Sequence, residues 1–404
     1  MTDARAPEQA VILIGGLGTR LGTLTSDTPK PLLEVGGRPF LDYLVEICVR
    51  LGFRDILLLA GFQSGKVAAY VERAALPAGH TLSLVVEPSP LGTAGAIRHA
   101  ADRLQERFLL LNGDSMLDTN WLDLVLAASP GTLAVMALRQ VPDTSRYGVV
   151  ATDGERVTGF AARGSARAGL INGGVYLVDR AIVAHLPAAG SLEQAVLPEL
   201  AAQGRVAGRV QEGFFLDIGV PEALAQAQTA LPGLRRRPAV FFDRDGTLNA
   251  DNGYTHRPRD LVFLPGAAAA VKRVNDLGYY AFLVTNQAGV ARGYFAEADV
   301  QAFNAHLQRA LRAAGAHIDD IRYCPDHPDG TVARYGRASD WRKPAPGMLL
   351  DLMRHWPVRP EASFVVGDRE SDMQAAAAAG LRGLLYPGGN LDDFLAPHLA
   401  GAAG

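Results

Sequence analysis

Short apolar runs of strand length recur along the chain, separated by longer stretches in which apolar and polar residues alternate at helical spacing. Residues 10–14, 56–60, 82–86, 108–111, 133–138 and 175–178 form the first series. Continuous apolar runs of this kind mark strands covered on both faces, so the series predicts an α/β domain with a largely parallel sheet. The rhythm resumes in residues 239–242, 281–284 and 364–366, with helix-like stretches at 267–277 and 298–313. That predicts a second, smaller α/β unit. Between the two series, Leu231-Pro232-Gly233-Leu234-Arg235-Arg236-Arg237-Pro238 combines helix breakers with charge, and it sets the expected domains at 1–231 and 232–404. The alanine-rich stretch 374–380 reads as a short, tightly packed helix.

The chain has 404 residues, 48% hydrophobic and 20% charged, which suits two buried cores and excludes wholesale disorder. A net charge of −3 gives no electrostatic footprint for nucleic acid or an anionic membrane. Cys48 and Cys324 are too few for a disulfide framework. No apolar run approaches membrane-spanning length, and the first residues lack an export pattern. The expectation is a soluble, cytoplasmic protein acting on small-molecule substrates, without nucleic-acid or membrane partners, with homo-oligomerisation left open.

Candidate chemistry begins where the first apolar run ends. Gly15, Gly16 and Gly18, followed by Thr19 and Arg20, allow backbone N–H groups to approach a phosphate closely. Lys30, between Pro29 and Pro31, is a lysine of restricted backbone. Asp114, in Asn112-Gly113-Asp114, falls at the carboxyl end of a predicted strand, and Asp217 is a second carboxylate in apolar company. A cation shared by the two aspartates is one physical solution to their burial.

In residues 9–230 the order G-G-x-G-T-R-L, P-K-P, Glu87 with Pro90-Leu91-Gly92-Thr93-Ala94-Gly95, N-G-D, Asn172-Gly173-Gly174 and Asp217-Ile218-Gly219 resembles the sugar-phosphate nucleotidylyltransferases. The resemblance implies a Rossmann-like nucleotide-diphospho-sugar transferase fold, and attack of a sugar 1-phosphate on the α-phosphorus of a nucleoside triphosphate. By it, Arg20 and Lys30 are catalytic cations and Mg²⁺ sits on Asp114 and Asp217. Gly15, Gly16, Gly18, Thr19, Glu87, Gly92 and Thr93 bind nucleotide, and Asn172, Gly173 and Arg163 face the sugar phosphate. Ala162 stands where many relatives carry a glutamate near the sugar.

In the second half, Asp243-Arg244-Asp245-Gly246-Thr247 follows a buried strand. Two carboxylates at that spacing suit a nucleophile toward phosphorus and an acid for the leaving alcohol. Thr285-Asn286, Arg342-Lys343-Pro344 and Gly367-Asp368-Arg369-Glu370-Ser371-Asp372 come next in order. These motifs resemble the haloacid-dehalogenase-like phosphatases over residues 236–392, and so imply a Rossmannoid fold. Asp243 would be the nucleophile, Asp245 the acid and base, with Thr285 and Lys343 on the phosphoryl oxygens. Mg²⁺ would lie on Asp243, Asp368 and the backbone carbonyl of Asp245.

Finer features, including residues 287–293, 324–328 and 341–348, resemble the heptose 1,7-bisphosphate 7-phosphatases, with histidinol-phosphate phosphatases close by. The resemblance places Asn286, Arg292 and Arg342 at the sugar or its second phosphate. Many such relatives carry a structural zinc, but here Asp326, Ser339 and Trp341 occupy positions of expected ligands, so zinc is not expected. Together the halves suggest consecutive steps toward an NDP-heptose for surface polysaccharide. GDP-D-glycero-α-D-manno-heptose leads, and ADP-heptose competes. A hexose 1-phosphate transferase fused to another phosphatase, or a silent sugar-nucleotide sensor, remain alternatives. Retention of Arg20, Lys30, Asp114 and Asp217 argues against silence.

Overall fold

The computed structural model describes residues 6–16, 19–161 and 167–399. It contains two compact units, residues 1–234 and 235–404. The expected division at 231/232 falls inside the helix Pro221–Leu234, which continues through its own proline. Packing explains the extension. Leu231 is fully buried, and Pro232 rests on Gly36, where an added Cβ would meet its Cγ at 2.4 Å.

The first unit is built on a nine-stranded sheet in the order Thr81–Val86, Asp55–Ala60, Gln9–Leu13, Arg107–Asn112, Gly169–Asp179, Ala134–Val141, Val206–Val210, Arg156–Ala161 and Val149–Asp153. The first four strands run parallel. Beyond them Gly169–Asp179 runs antiparallel to both neighbours, so the sheet is mixed rather than largely parallel. The added hairpin Val149–Asp153 and Arg156–Ala161 is half exposed and lacks the long apolar run that marks a buried strand. Ala10, Ile12 and Ile14 enter one core, while Val11 and Leu13 enter another on the opposite face. Double burial is why that strand is apolar throughout.

A separate two-stranded ribbon pairs Ser115–Asp118 with Phe214–Asp217, placing Asp217 opposite Ser115. Its register carries Asp217 back to the strand end that bears Asp114.

The second unit has a five-stranded parallel sheet in the order Asp320–Cys324, Tyr280–Asn286, Ala239–Phe242, Phe364–Gly367 and Arg382–Leu385. Val240 and Phe242 pack on one side, Ala239 and Phe241 on the other. Three central strands end at Asp243, at Thr285-Asn286 and just before Asp368. The alanine-rich stretch lies largely in the helix Glu370–Ala378, whose Ala375 and Ala376 are fully buried. Small side chains allow that close approach.

Candidate active sites

In the first unit Lys30 opens a short 3₁₀ turn and is only 8% exposed. Its Nζ donates to Asp114 Oδ2 at 2.7 Å. Gly113 permits this placement, because a Cβ there would lie 2.4 Å from Leu13 O. Burial pushes the Asp217 carboxyl up, and the charge of Asp114 adds to the effect; the Gly219 N–H, Lys30 and Arg20 oppose it. Gly219 N donates to Asp217 Oδ1 at 2.7 Å, and Arg20 Nη2 is 3.2 Å from where a Gly219 Cβ would stand. Arg20, Lys30, Asp114 and Asp217 are therefore brought together. Two cations beside two carboxylates suit a reaction among phosphates.

The glycine turn is braced from below. A Cβ on Gly15 would lie 2.6 Å from Glu87 Oε1, whereas Gly16 faces open space. Glu87 Oε2 accepts from Leu91 N at 2.9 Å, so this carboxylate ties the turn at Gly15 to the turn at Leu91.

Gly92 has φ +70°, and a Cβ there would meet Gly190 O at 2.4 Å. Thr93 Oγ1 donates to Glu193 Oε2 at 3.0 Å and accepts from Leu192 N at 2.7 Å. The contacts of both residues join the helix Gly92–His99 to the neighbouring segment, a structural use that the nucleotide-binding expectation did not include. Asn172 Nδ2 donates to the Tyr176 hydroxyl, Asn172 Oδ1 accepts from Gly174 N at 3.0 Å, and Tyr176 in turn donates to Glu193 Oε1 at 3.4 Å. Gly173 is held tightly, since a Cβ there would lie 2.9 Å from Leu117 Cδ2. Tyr176 and Glu193 were missed; a tyrosine inside the apolar run 175–178 was their signal. Gly18 and Arg163 lie outside the described residues, as does the side chain of Thr19.

In the second unit Lys343 is buried and its Nζ donates to Asp243 Oδ1 at 2.6 Å and to Val284 O at 3.0 Å. The same ammonium stands 2.5 Å from Asp372 Oδ1. Burial pushes the Asp243 carboxyl up to about 7, against the pull of Lys343 and with Asp372 and Asp245 adding to the rise. Burial acts to lower the Lys343 pKa, but Asp243 and Asp372 outweigh it and leave it raised. Asn286 clamps the backbone of Lys343 in both directions, Nδ2 donating to Lys343 O at 3.0 Å and Oδ1 accepting from Lys343 N at 3.1 Å. Its amide thus positions the lysine.

Asp245 is gripped by its neighbours. Arg244, itself fully buried, donates to both carboxylate oxygens at 3.1 and 2.8 Å, and Asn249 and Gln287 each add a donor at 2.9 Å. Gln287 Nε2 also reaches Thr285 Oγ1 at 2.9 Å. These four donors hold the side chain of Asp245 outside the carboxylate cluster of this unit.

That cluster comprises Asp243, Asp368 and Asp372, one oxygen from each lying within 4.8 Å of the others. Asp368 Oδ1 is buried and has no hydrogen-bond partner among the described residues. An orphaned carboxylate oxygen in an all-oxygen donor set fits a hard divalent cation. Asp372 was not assigned from sequence, and it adds a third acid to Asp243 and Asp368, beside which the expectation set only the backbone carbonyl of Asp245.

Arg342 is half buried, and burial together with the nearby Arg292 and Arg369 lowers its pKa. Arg342 Nη1 donates to Asp326 O at 3.4 Å, and Arg292 Nε is buried without a partner among the described residues. Around Cys324, the Sγ points to Asp326 O at 3.8 Å, while Asp326 Oδ2 accepts from Arg337 Nε at 3.1 Å.

Both units thus gather carboxylates and cations for phosphoryl chemistry. Residues 9–232 match the family model described as nucleotidyl transferase, and residues 340–400 match one described as HAD-hydrolase-like. The D-glycero-beta-D-manno-heptose-1,7-bisphosphate 7-phosphatase of Rhodopseudomonas palustris is 48% identical over 160 residues, covering 40% of this chain and 89% of the relative. The enzyme of that name from Photorhabdus laumondii is 46% identical over 142 residues, covering 35% of this chain and 76% of the relative. Among solved structures, HddC from Yersinia pseudotuberculosis complexed with GMP-PN has a TM-score of 0.50 and 30% identity, covering 55% of this chain and 97% of that one.

The folds and sites define a two-centre phosphoryl-transfer enzyme. The chain belongs to the nucleotidyl transferase family through its first unit, and its second unit is a HAD-like phosphatase. No helix among the described residues is long and apolar enough to cross a membrane.

Proposed function

We propose that the second unit removes the 7-phosphate of D-glycero-D-manno-heptose 1,7-bisphosphate, and that the first transfers GMP from GTP to the resulting heptose 1-phosphate, releasing pyrophosphate. The observation that carries the phosphatase assignment is the pair Arg292 and Arg342. Neither has a carboxylate partner among the described residues, and each lies a few residues from a catalytic group, as a second phosphate requires. The heptose follows from likeness to the named 7-phosphatases.

In this reading Asp243 attacks phosphorus and becomes an aspartyl phosphate while Asp245 protonates the leaving alkoxide. Asp245 then takes the proton of the water that attacks the aspartyl phosphate. Lys343 and Thr285 hold the phosphoryl oxygens, with Asn286 and Gln287 fixing their positions. In the first unit Arg20 and Lys30 neutralise the triphosphate as a phosphate oxygen of the sugar attacks the α-phosphorus. Mg²⁺, held by Asp114 and Asp217 in one unit and by Asp243, Asp368 and Asp372 in the other, would offset charge spread over the transferring phosphoryl group.

Guanine is favoured by the likeness to HddC complexed with GMP-PN. A second reading, with the β anomer and another base, is favoured by the beta designation in the names of the phosphatase relatives. The test supplies the α and β bisphosphates separately with each nucleoside triphosphate and identifies the sugar nucleotide by mass. GDP-heptose from the α anomer supports the first reading; ADP-heptose from the β anomer supports the second. Absence of any heptose nucleotide rejects both.

A further inference from the structure

We propose that the ion pair between Asp326 and Arg337 is a positioning device that sets Arg292 and Arg342 for the non-reacting phosphate of the bisphosphate. The inference rests on the phosphatase reading given above.

Asp326 is 5% exposed, an unusual place for a carboxylate. Its Oδ2 is paired with Arg337 Nε at 3.1 Å, and its Oδ1 is buried with no hydrogen-bond partner among the described residues. Arg337 is thus the cation that the structure supplies to this buried charge. The Asp326 carbonyl meanwhile accepts from Arg342 Nη1 at 3.4 Å. One residue therefore links Arg337, on the loop, to Arg342, beside Lys343.

The loop closed by this pair also reaches the turn that carries Arg292. His327 N donates to Tyr335 O at 3.1 Å, Val332 N to Ala291 O at 2.9 Å, and Thr331 Oγ1 to Arg292 O at 3.3 Å. Gly330 lies so close that a Cβ would be 2.8 Å from Ala291 Cβ. Releasing Asp326 frees one end of a segment fastened to both guanidinium-bearing positions. Arg337 itself is 69% exposed along its side chain, which places its charge on the loop surface and leaves the deeper cations to meet the substrate.

Among the described residues the Asp326–Arg337 pair makes no hydrogen bond or ion pair with Asp243, Lys343 or the carboxylate cluster. Loss of the pair should therefore weaken recognition of the second phosphate and spare the chemistry at the first. The predicted signature is a split between substrates with one phosphate and substrates with two.

The experiment uses the full chain with Mg²⁺, and compares heptose 1,7-bisphosphate with p-nitrophenyl phosphate. Arg337→Ala should raise KM for the bisphosphate about tenfold, the effect of roughly one weakened charge contact, with its kcat and the aryl phosphate kinetics unchanged. Arg337→Lys should return most of the lost affinity. Arg337→Gln reads the same comparison if the alanine variant does not fold. An unchanged KM for the bisphosphate, or an equal loss toward both substrates, overturns the proposal. Wild-type turnover of the aryl phosphate without any turnover of the bisphosphate instead rejects the phosphatase reading, and the proposal with it.

Discussion

Lys343 Nζ lies 2.6 Å from Asp243 Oδ1, and both groups are buried. A single ammonium thereby pulls the proposed nucleophile toward its charged form, against a burial that still leaves its pKa raised. Removing one partner of a buried pair costs about 3–5 kcal/mol. Lys343→Ala should accordingly lose phosphatase activity and destabilise the second unit by about that amount, read from denaturant unfolding.

The two centres should fail independently. Asp243→Asn should abolish phosphate release and leave pyrophosphate formation from heptose 1-phosphate intact, while Lys30→Ala should do the reverse. Loss of both activities in either folded variant would sink the assignment of two separate sites.

Gly246 has φ +85°, and a Cβ there would stand 2.4 Å from Asp368 Oδ2. Gly246→Ala adds left-handed strain of about 1–2 kcal/mol and pushes on a proposed metal ligand. Phosphate release should fall by about tenfold or more, with half-saturation shifted to higher Mg²⁺. A variant with wild-type Mg²⁺ dependence would show that Asp368 does not hold the ion.

Glu297 accepts from Tyr335 Oη at 2.7 Å and from Tyr323 Oη at 2.9 Å, and these hydrogen bonds, that from Tyr335 foremost, hold its carboxyl below the usual range. A group whose folded pKa is depressed stabilises above its unfolded value, and the contribution is lost as pH falls through the folded value. The second unit should therefore lose stability below the ordinary glutamate range. Glu297→Gln should flatten that acid limb in unfolding measured from about pH 6 to about pH 3, which brackets the ordinary glutamate value.

A zinc-selective chelator that spares Mg²⁺ should leave the unfolding of the second unit unchanged, since Asp326 is already paired with Arg337. A marked loss of stability would reveal a zinc requirement in the segment around Cys324.

The parts of the fold written in long apolar runs were legible. Residues 10–14 and 239–242 lie between two cores each, so their sequence had to be apolar on both faces, and Gly15 after the first run and Asp243 after the second mark where they end. The hairpin from Val149 to Ala161 was not legible, because its half-exposed positions give a weak pattern. Asp372 was overlooked for a different reason. It sits in the first turn of the helix Glu370–Ala378, where an acid is ordinarily a response to the helix dipole. Only the tertiary fold shows that it faces Lys343. Gly92, Thr93 and Asn286 were recognised by type, but their contacts depend on segments far along the chain, which spacing does not encode.

The helix Pro221–Leu234 bears on how the transferase unit can be cut free. Gln228 accepts from Gly36 N at 3.0 Å and donates to Glu34 O at 2.8 Å, and Pro232 covers Gly36. A gene fragment ending at Leu231, where the breakers suggest a stop, would keep both Gln228 bonds but lose the Pro232 cover over Gly36. One ending at Leu234 keeps the whole helix, so a three-residue difference in where the reading frame stops decides whether Gly36 stays covered.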